Sequence, residues 1–270
     1  MTMQTSSTIK GVAAGVPFVA LAPTGGGTSG ALVVTWHLMD APRTEAAMAA
    51  ALPMHGLDAW RVYLGLPMFG GRSPAGGPDE VFRLAAEDYV LNVAGPVAEQ
   101  AADELPAAVA ALRTRLSLVD GPVGVAGGSA GAAVALEVLA RAELPIEAAA
   151  LVSPVTQLAP VVAANERAYD TVYDWTERSR AVADRFDFVR RAGELDAEVL
   201  LVTGEADDIA IREPAAALAR ELGARARLVT VPDMAHALAE EPGVEPAPQT
   251  AHAAVVDAEF TAWFRRHLSR

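Results

Sequence analysis

Residues 127–131 read Gly-Gly-Ser-Ala-Gly, a G-x-S-x-G pattern centred on Ser129. The apolar run PVGVAGG (122–128) precedes the serine, and the Ala-rich, helix-forming AGAAVALEVLARA (130–142) follows it. A strand that turns at once into a helix leaves its apex residue exposed in a strained conformation, and small residues two places away on either side let strand and helix come close. Such a serine is placed for nucleophilic chemistry. An alcohol is a weak nucleophile, so it needs a base, and the base needs an acid to orient it. For a serine on a strand-to-helix turn, the chain order is serine, acid, histidine. Downstream, LLVTGEADD (200–208) ends a strand-like run with Asp207 and Asp208, and LVTVPDMAH (228–236) ends the next with His236.

These residues need a scaffold, and the sequence supplies one. PFVALAP (17–23), ALVVTWH (31–37), AWRVYLGLP (59–67), IEAAALVSP (146–154), AEVLLVTGEADD (197–208) and RARLVTVPDMAH (225–236) are short, apolar and bounded by turn residues, as strands are. Helical stretches lie between them: TEAAMAAALP (44–53) with Thr44 as its N-cap, a long run from Val97 to Leu118, and EPAAALAREL (213–222). MFGGRSPAGGP (68–78) reads as a loop, and residues 250–268 form a terminal helix carrying Phe260, Trp263, Phe264 and His267. Alternating strands and helices imply an α/β fold with a mostly parallel sheet covered on both faces. Residues 155–196 break the alternation with helical sequence and read as a small cap inserted before the strand that bears the acid. One domain over residues 1–270 is expected.

The bulk composition narrows the function classes. The chain has 270 residues and a formal net charge of −13, and Lys10 is its only lysine. That balance argues against nucleic-acid binding, which needs cations to displace counterions. With no cysteine, disulfides, thiolate metal sites and cysteine nucleophiles are excluded. No run approaches the ~20 apolar residues of a membrane span. The run GVAAGVPFVALA after Lys10 faintly resembles a secretory leader, but Gly15 and Pro17 interrupt it and it reads as one or two early strands. The expected location is the cytoplasm.

The pieces GGSAG, GEADD and MAH, in this order of elements, resemble the α/β-hydrolase superfamily over nearly the whole chain. The resemblance implies a serine hydrolase acting on a carboxylic ester or other small acyl substrate, without metal or organic cofactor. The elbow resembles those of small carboxylesterases and of single-domain relatives of the prolyl-peptidase group, so peptide, amide and thioester cleavage stay open beside ester cleavage. A non-catalytic ligand-binding protein of this fold is the alternative from another class. The family's acid often stands in a G-x-x-D turn. Gly204-Glu205-Ala206-Asp207 fits, which favours Asp207 over Asp208. Among the five histidines, His236 alone follows the acid in a loop after a strand, whereas His252 and His267 fall on the terminal helix.

An oxyanion hole requires two backbone N–H groups. The first is expected from Ala130, directly after the nucleophile. For the second, TGGGTSG (24–30) invites attention through its glycines. It leads into a strand and not a helix, however, and reads as a hairpin turn between two strand runs. The family's His-Gly-x loop is followed by a helix, a strand and a Gly-rich turn, and the chain repeats that order after His37-Leu38-Met39. Met39 N–H is therefore the expected second donor, with Leu38 and the glycines at 25–27 as rivals. His37 reads as a structural hydrogen-bonding residue. In the cap, Tyr169, Tyr173, Trp175 and Phe186 either touch substrate or anchor the cap to the body. The apolar terminal helix either covers the sheet or forms a homodimer face.

Overall fold

The computed structural model describes residues 8–24 and 29–268. Eight strands form one sheet: β1 (Thr8–Ala13), β2 (Val16–Leu21), β3 (Leu32–Trp36), β4 (Trp60–Leu64), β5 (Val123–Gly128), β6 (Ala148–Val152), β7 (Glu198–Gly204) and β8 (Ala226–Val231). Their spatial order is β1-β2-β4-β3-β5-β6-β7-β8. β1, β2 and β4 pair antiparallel, and every pairing from β4 through β8 is parallel. The early apolar run becomes the β1–β2 hairpin, reversed at Ala14 and Gly15, both at positive φ as tight hairpin turns require.

The two faces separate by the period-2 alternation of the strands. Leu32, Val34, Trp36, Val125, Ala149, Leu151, Val199 and Leu201 face one core, built against α3 (Gly95–Arg115), α4 (Ala130–Arg141) and α7 (Ile209–Leu222). Val33, Ala126, Ala148, Ala150, Val152, Leu200 and Val202 face the other, closed by α1 (Glu45–Ala51) and α8 (Ala251–Leu268). Phe260 and Phe264 of α8 are fully buried there, so this helix covers the sheet. Between β4 and α3 the chain forms a short 3-10 turn, α2 (Gly77–Tyr89) and a π-helical turn at Val90–Ala94. The cap segment supplies α5 (Leu158–Tyr169) and α6 (Glu177–Arg185) between β6 and β7.

Three expectations need correction. β2 and β3 are not sheet neighbours, because β4 inserts between them. The segment at 24–30 therefore starts a crossover and is not a hairpin turn; Gly25, Gly26 and Gly27 themselves lie outside the described residues. Its described ends, Thr24 and Ser29, bond the carbonyls of Leu57 and Asp58, at the end of the parallel strands opposite the one where β5 delivers Ser129. The loop expected over 68–78 gives way to helix α2 at Gly77, with Pro78 in its first turn where its missing N–H is harmless. Helix α7 begins at Ile209, four residues earlier than expected, because Asp208 caps it by accepting the Ala210 N–H at 2.7 Å.

Candidate active site

The sheet's strand order reverses between β3 and β5, and loops leaving adjacent strands at such a switch point splay apart to form a crevice at their C-terminal ends. Ser129 stands in that crevice, directly after β5, at φ 50° and ψ −113°. A serine holds a left-handed φ only where its surroundings enforce it. Here the Ser129 N–H is tied to the Val152 carbonyl at 3.0 Å, and its own carbonyl receives the N–H groups of Ala132 and Ala133 at 3.0 and 3.2 Å. Gly131 is required on packing grounds: a methyl group there would sit 2.5 Å from the His37 carbonyl oxygen.

His236 Nε2 lies 2.8 Å from Ser129 Oγ, and its Nδ1 lies 2.9 and 3.1 Å from the two carboxylate oxygens of Asp207. Asp207 also accepts the Asp208 N–H at 2.7 Å. Its carboxylate is 1% exposed, against 51% for Asp208. The two neighbouring acids have thus divided: Asp207 faces the imidazole and Asp208 caps α7. Gly204 ends β7 where a side chain would collide with the Met234 carbonyl, so its lack of one lets the histidine loop close on the acid. Burial disfavours the His236 cation, but the Asp207 hydrogen bond and the charges of Asp207, Asp40 and Asp208 outweigh it and raise the pKa above 6.5.

The backbone donors expected from the sequence lie on the loops after β5 and β3. Ala130 opens α4, where an N–H has no intrahelical partner. Of the two candidates after β3, the Leu38 N–H is spent on the Pro42 carbonyl at 3.2 Å. The loop's carbonyls are also pinned. His37 Nδ1 holds the Leu38 oxygen at 2.7 Å, and Arg43 Nη1 holds the Met39 oxygen at 2.6 Å. In a trans peptide the N–H points opposite to the C=O, so fixing the Leu38 oxygen fixes the direction of the Met39 N–H. His37 Nε2 accepts the Leu66 N–H at 3.1 Å, so its proton sits on Nδ1. Complete burial lowers its pKa to about 4. It is a neutral strut and not a proton carrier.

Beside these groups is a largely apolar recess whose walls include Met39, Tyr89, Ala94, Ala130, Leu158 and Phe186. Phe186 is the one of the four cap aromatics that lines it. Tyr173 instead donates its hydroxyl to Asp88 at 2.5 Å and packs edge-on against Trp175, and Tyr169 is largely exposed. The cap is also fastened from below. Glu137 on α4, 1% exposed, accepts from Arg185 at 2.5 Å, Arg141 at 2.9 Å and Arg191 at 3.2 Å.

Two features escape a reading of the sequence. Asp40 places Oδ2 3.6 Å from His236 Nε2; its only signal is that it follows Met39. The loop after β3 is bolted to the segment after His236 by Arg43–Glu241 and by the Leu238 and Ala239 N–H groups on the Ala41 carbonyl, which no local pattern marks. Among the described residues, no three His, Asp or Glu side chains cluster as a metal site, and no helix is long and apolar enough to cross a membrane.

A sequence model of the prolyl oligopeptidase family matches residues 86–270. No curated protein matches the chain by sequence. Among solved structures, a Thermus thermophilus protein superposes with a TM-score of 0.67 at 18% identity, over 99% of this chain and 100% of its own. Carboxyl esterase 2 of the mycorrhizal fungus Tuber melanosporum gives 0.61 at 18% identity, over 98% of this chain and 88% of its own. A puromycin-hydrolyzing peptidase of Mycobacterium tuberculosis gives 0.67 at 17% identity, over 98% of this chain and 40% of that longer one. At these identities the likeness speaks for the fold, which is that of the α/β-hydrolases.

Proposed function

Because the chain belongs to the prolyl oligopeptidase family, a family of hydrolases, we propose that it is a serine hydrolase that cleaves a carboxylic ester through an acyl-enzyme. The observation that carries this reading is the relay from Ser129 Oγ to His236 at 2.8 Å and from His236 to buried Asp207 at 2.9 Å. Ser129 attacks the substrate carbonyl while His236 Nε2 takes its proton. Asp207 keeps the other ring nitrogen protonated and stabilises the imidazolium. The carbonyl oxygen, now negative, is received by the Ala130 and Met39 N–H groups; one such donor contributes about 3 kcal/mol to the transition state. His236 then protonates the departing alcohol. Water, activated by the same imidazole, releases the acyl group. The apolar recess favours an uncharged acyl chain. The reading needs no metal or organic cofactor, and its substrate is a small acyl compound.

A fluorophosphonate probe tests the reading. The expected result is a single mass adduct on Ser129, lost in Ser129→Ala and much slower in His236→Ala. Folded protein that takes no label would favour the non-catalytic, ligand-binding alternative and overturn the hydrolase.

A further inference from the structure

Asp40 is a carboxylate at the reacting end of the site that the ester mechanism does not use. Its side chain is half exposed, and its one ion pair among the described residues is with His236 Nε2 at 3.6 Å. That nitrogen is the one that must hand a proton to the leaving group, so Asp40 faces the space the leaving group occupies. Asp40 is not on a loose loop. Pro42 and Ala41 carbonyls accept from Leu38 on one side and from Leu238 and Ala239 on the other, and Arg43 N–H reaches the Gly243 carbonyl at 2.7 Å. The segment that carries Asp40 is thereby fixed to the segment that carries His236.

An ester and an amide differ at this point. When the tetrahedral intermediate of an ester collapses, the C–O bond breaks and the leaving oxygen takes the Nε2 proton. It carries no hydrogen of its own. An amide nitrogen takes the same proton while still bonded to carbon, becomes cationic, and retains an N–H. The C–N bond then breaks, its electron pair stays with nitrogen as a neutral amine, and the carbonyl re-forms on Ser129. A carboxylate within reach of that nitrogen can accept the N–H and counter the transient charge, and such charge-assisted bonds are about twice as strong as neutral ones.

From this geometry we infer that Asp40 is a specificity-determining residue that accepts the leaving-group N–H and extends the site from esters to amides. The inference rests on the hydrolase reading above. It assigns Asp40 contact with the substrate itself, on the leaving-group side of His236 Nε2.

The test compares the 4-nitrophenyl ester and the 4-nitroanilide of one short acyl group, in the wild-type chain, Asp40→Asn and Asp40→Ala. The readout is the ratio of kcat/KM for anilide to kcat/KM for ester. Both reactions are measured on the alkaline plateau of each protein's pH profile, so a shift in the protonation of His236 does not enter the ratio. Asp40→Ala should lower the ratio about tenfold or more, the usual cost of a lost bond to a charged group. Asp40→Asn, which keeps an acceptor oxygen and loses the charge, should recover part of it. A ratio equal in all three proteins, an equal drop in both variants, or a wild-type chain that cleaves the ester and never the anilide would overturn the assignment. A wild-type chain that cleaves neither overturns the hydrolase reading, and the Asp40 assignment with it.

Discussion

Arg43 and Glu241, 198 residues apart in the chain, meet in a two-pronged ion pair at 2.8 and 2.9 Å. The same guanidinium holds the Met39 carbonyl with its other terminal nitrogen at 2.6 Å. One side chain thus joins the loop that follows β3 to the loop that follows His236. The pair is exposed enough to contribute little to stability, about 1 kcal/mol at most. Its effect should appear in catalysis instead. Arg43→Ala is expected to lower kcat on an ester about tenfold, since small displacements of an oxyanion donor are costly, while the urea midpoint hardly moves. Arg43→Lys cannot reproduce the fork and should behave like alanine. A large loss of stability with normal kcat would show that the clamp is only structural.

Removing any member of the Ser129–His236–Asp207 relay should lower kcat by at least ~10³-fold, with Asp207→Asn near 10⁴ because the imidazole would adopt the wrong tautomer. The losses should not add: a Ser129→Ala, His236→Ala double variant is expected to be no worse than Ser129→Ala alone. Asp208→Asn provides the contrast. Its side chain caps α7, so this variant should keep turnover and lose a fraction of a kcal/mol of stability. Activity measured beside thermal unfolding distinguishes the two acids.

The acid limb of the pH profile follows from His236. Burial alone would depress its pKa, but Asp207, Asp40 and Asp208 together raise it above 6.5. The base works in its neutral form, so kcat/KM should fall as pH drops, with a midpoint above 6.5. Asp40→Asn removes one of the charges and should move that midpoint to lower pH. The linkage to stability has the opposite sense. A raised folded pKa contributes stability that is fully present below the unfolded value and fades as pH rises through the folded one. An acid limb centred below 6.5 in the wild-type chain would contradict this electrostatic picture.

Much of this site was legible because its signals are local. GGSAG declares its turn through residues adjacent in sequence, and GEADD and MAH each end a run of strand residues. Asp207 and His236 could therefore be placed without knowing the sheet order. The expectation for the Met39 loop rests on the succession of elements after it and not on its own letters, since Leu38 stands where the family has glycine. What escaped depends on distant partners. The apparent β2–β3 turn fails because β4 offers β2 a better antiparallel edge, with Phe18 opposite Leu64 and Leu21 opposite Arg61. Arg43 gives no hint of Glu241, and the Asp40 carboxylate gains meaning only when His236 is beside it.

Glu137 sets the stability of the cap. Burial would raise its pKa, yet Arg141, Arg185 and Arg191 hold it below 4.5. Glu137→Ala would leave these arginines, partly buried, without their shared partner, and removing one member of a buried ion pair costs about 3 kcal/mol. Because the folded pKa is depressed, this contribution is present above the unfolded value near 4.5 and is lost as pH falls through the folded one. Urea titrations over a falling pH series should show a large gap between wild type and variant at pH 7 that narrows as the pH drops through the folded pKa.

The recess beside Met39 should decide acyl length. Ala94 lines it from the π-helical turn at Val90–Ala94 and is only partly buried, so a larger side chain there fills the recess without opening a cavity elsewhere. In Ala94→Leu, an acetyl ester needs none of the blocked space and should be turned over within about twofold of wild type. A hexanoyl ester loses the burial of several methylenes, each about 0.8 kcal/mol, and its kcat/KM should fall by at least about tenfold. A ladder of 4-nitrophenyl esters from acetate to octanoate measures both. If acetate and hexanoate fall together, the acyl chain does not lie in this recess, and the Ala130–Met39 side of Ser129 is where the leaving group goes instead.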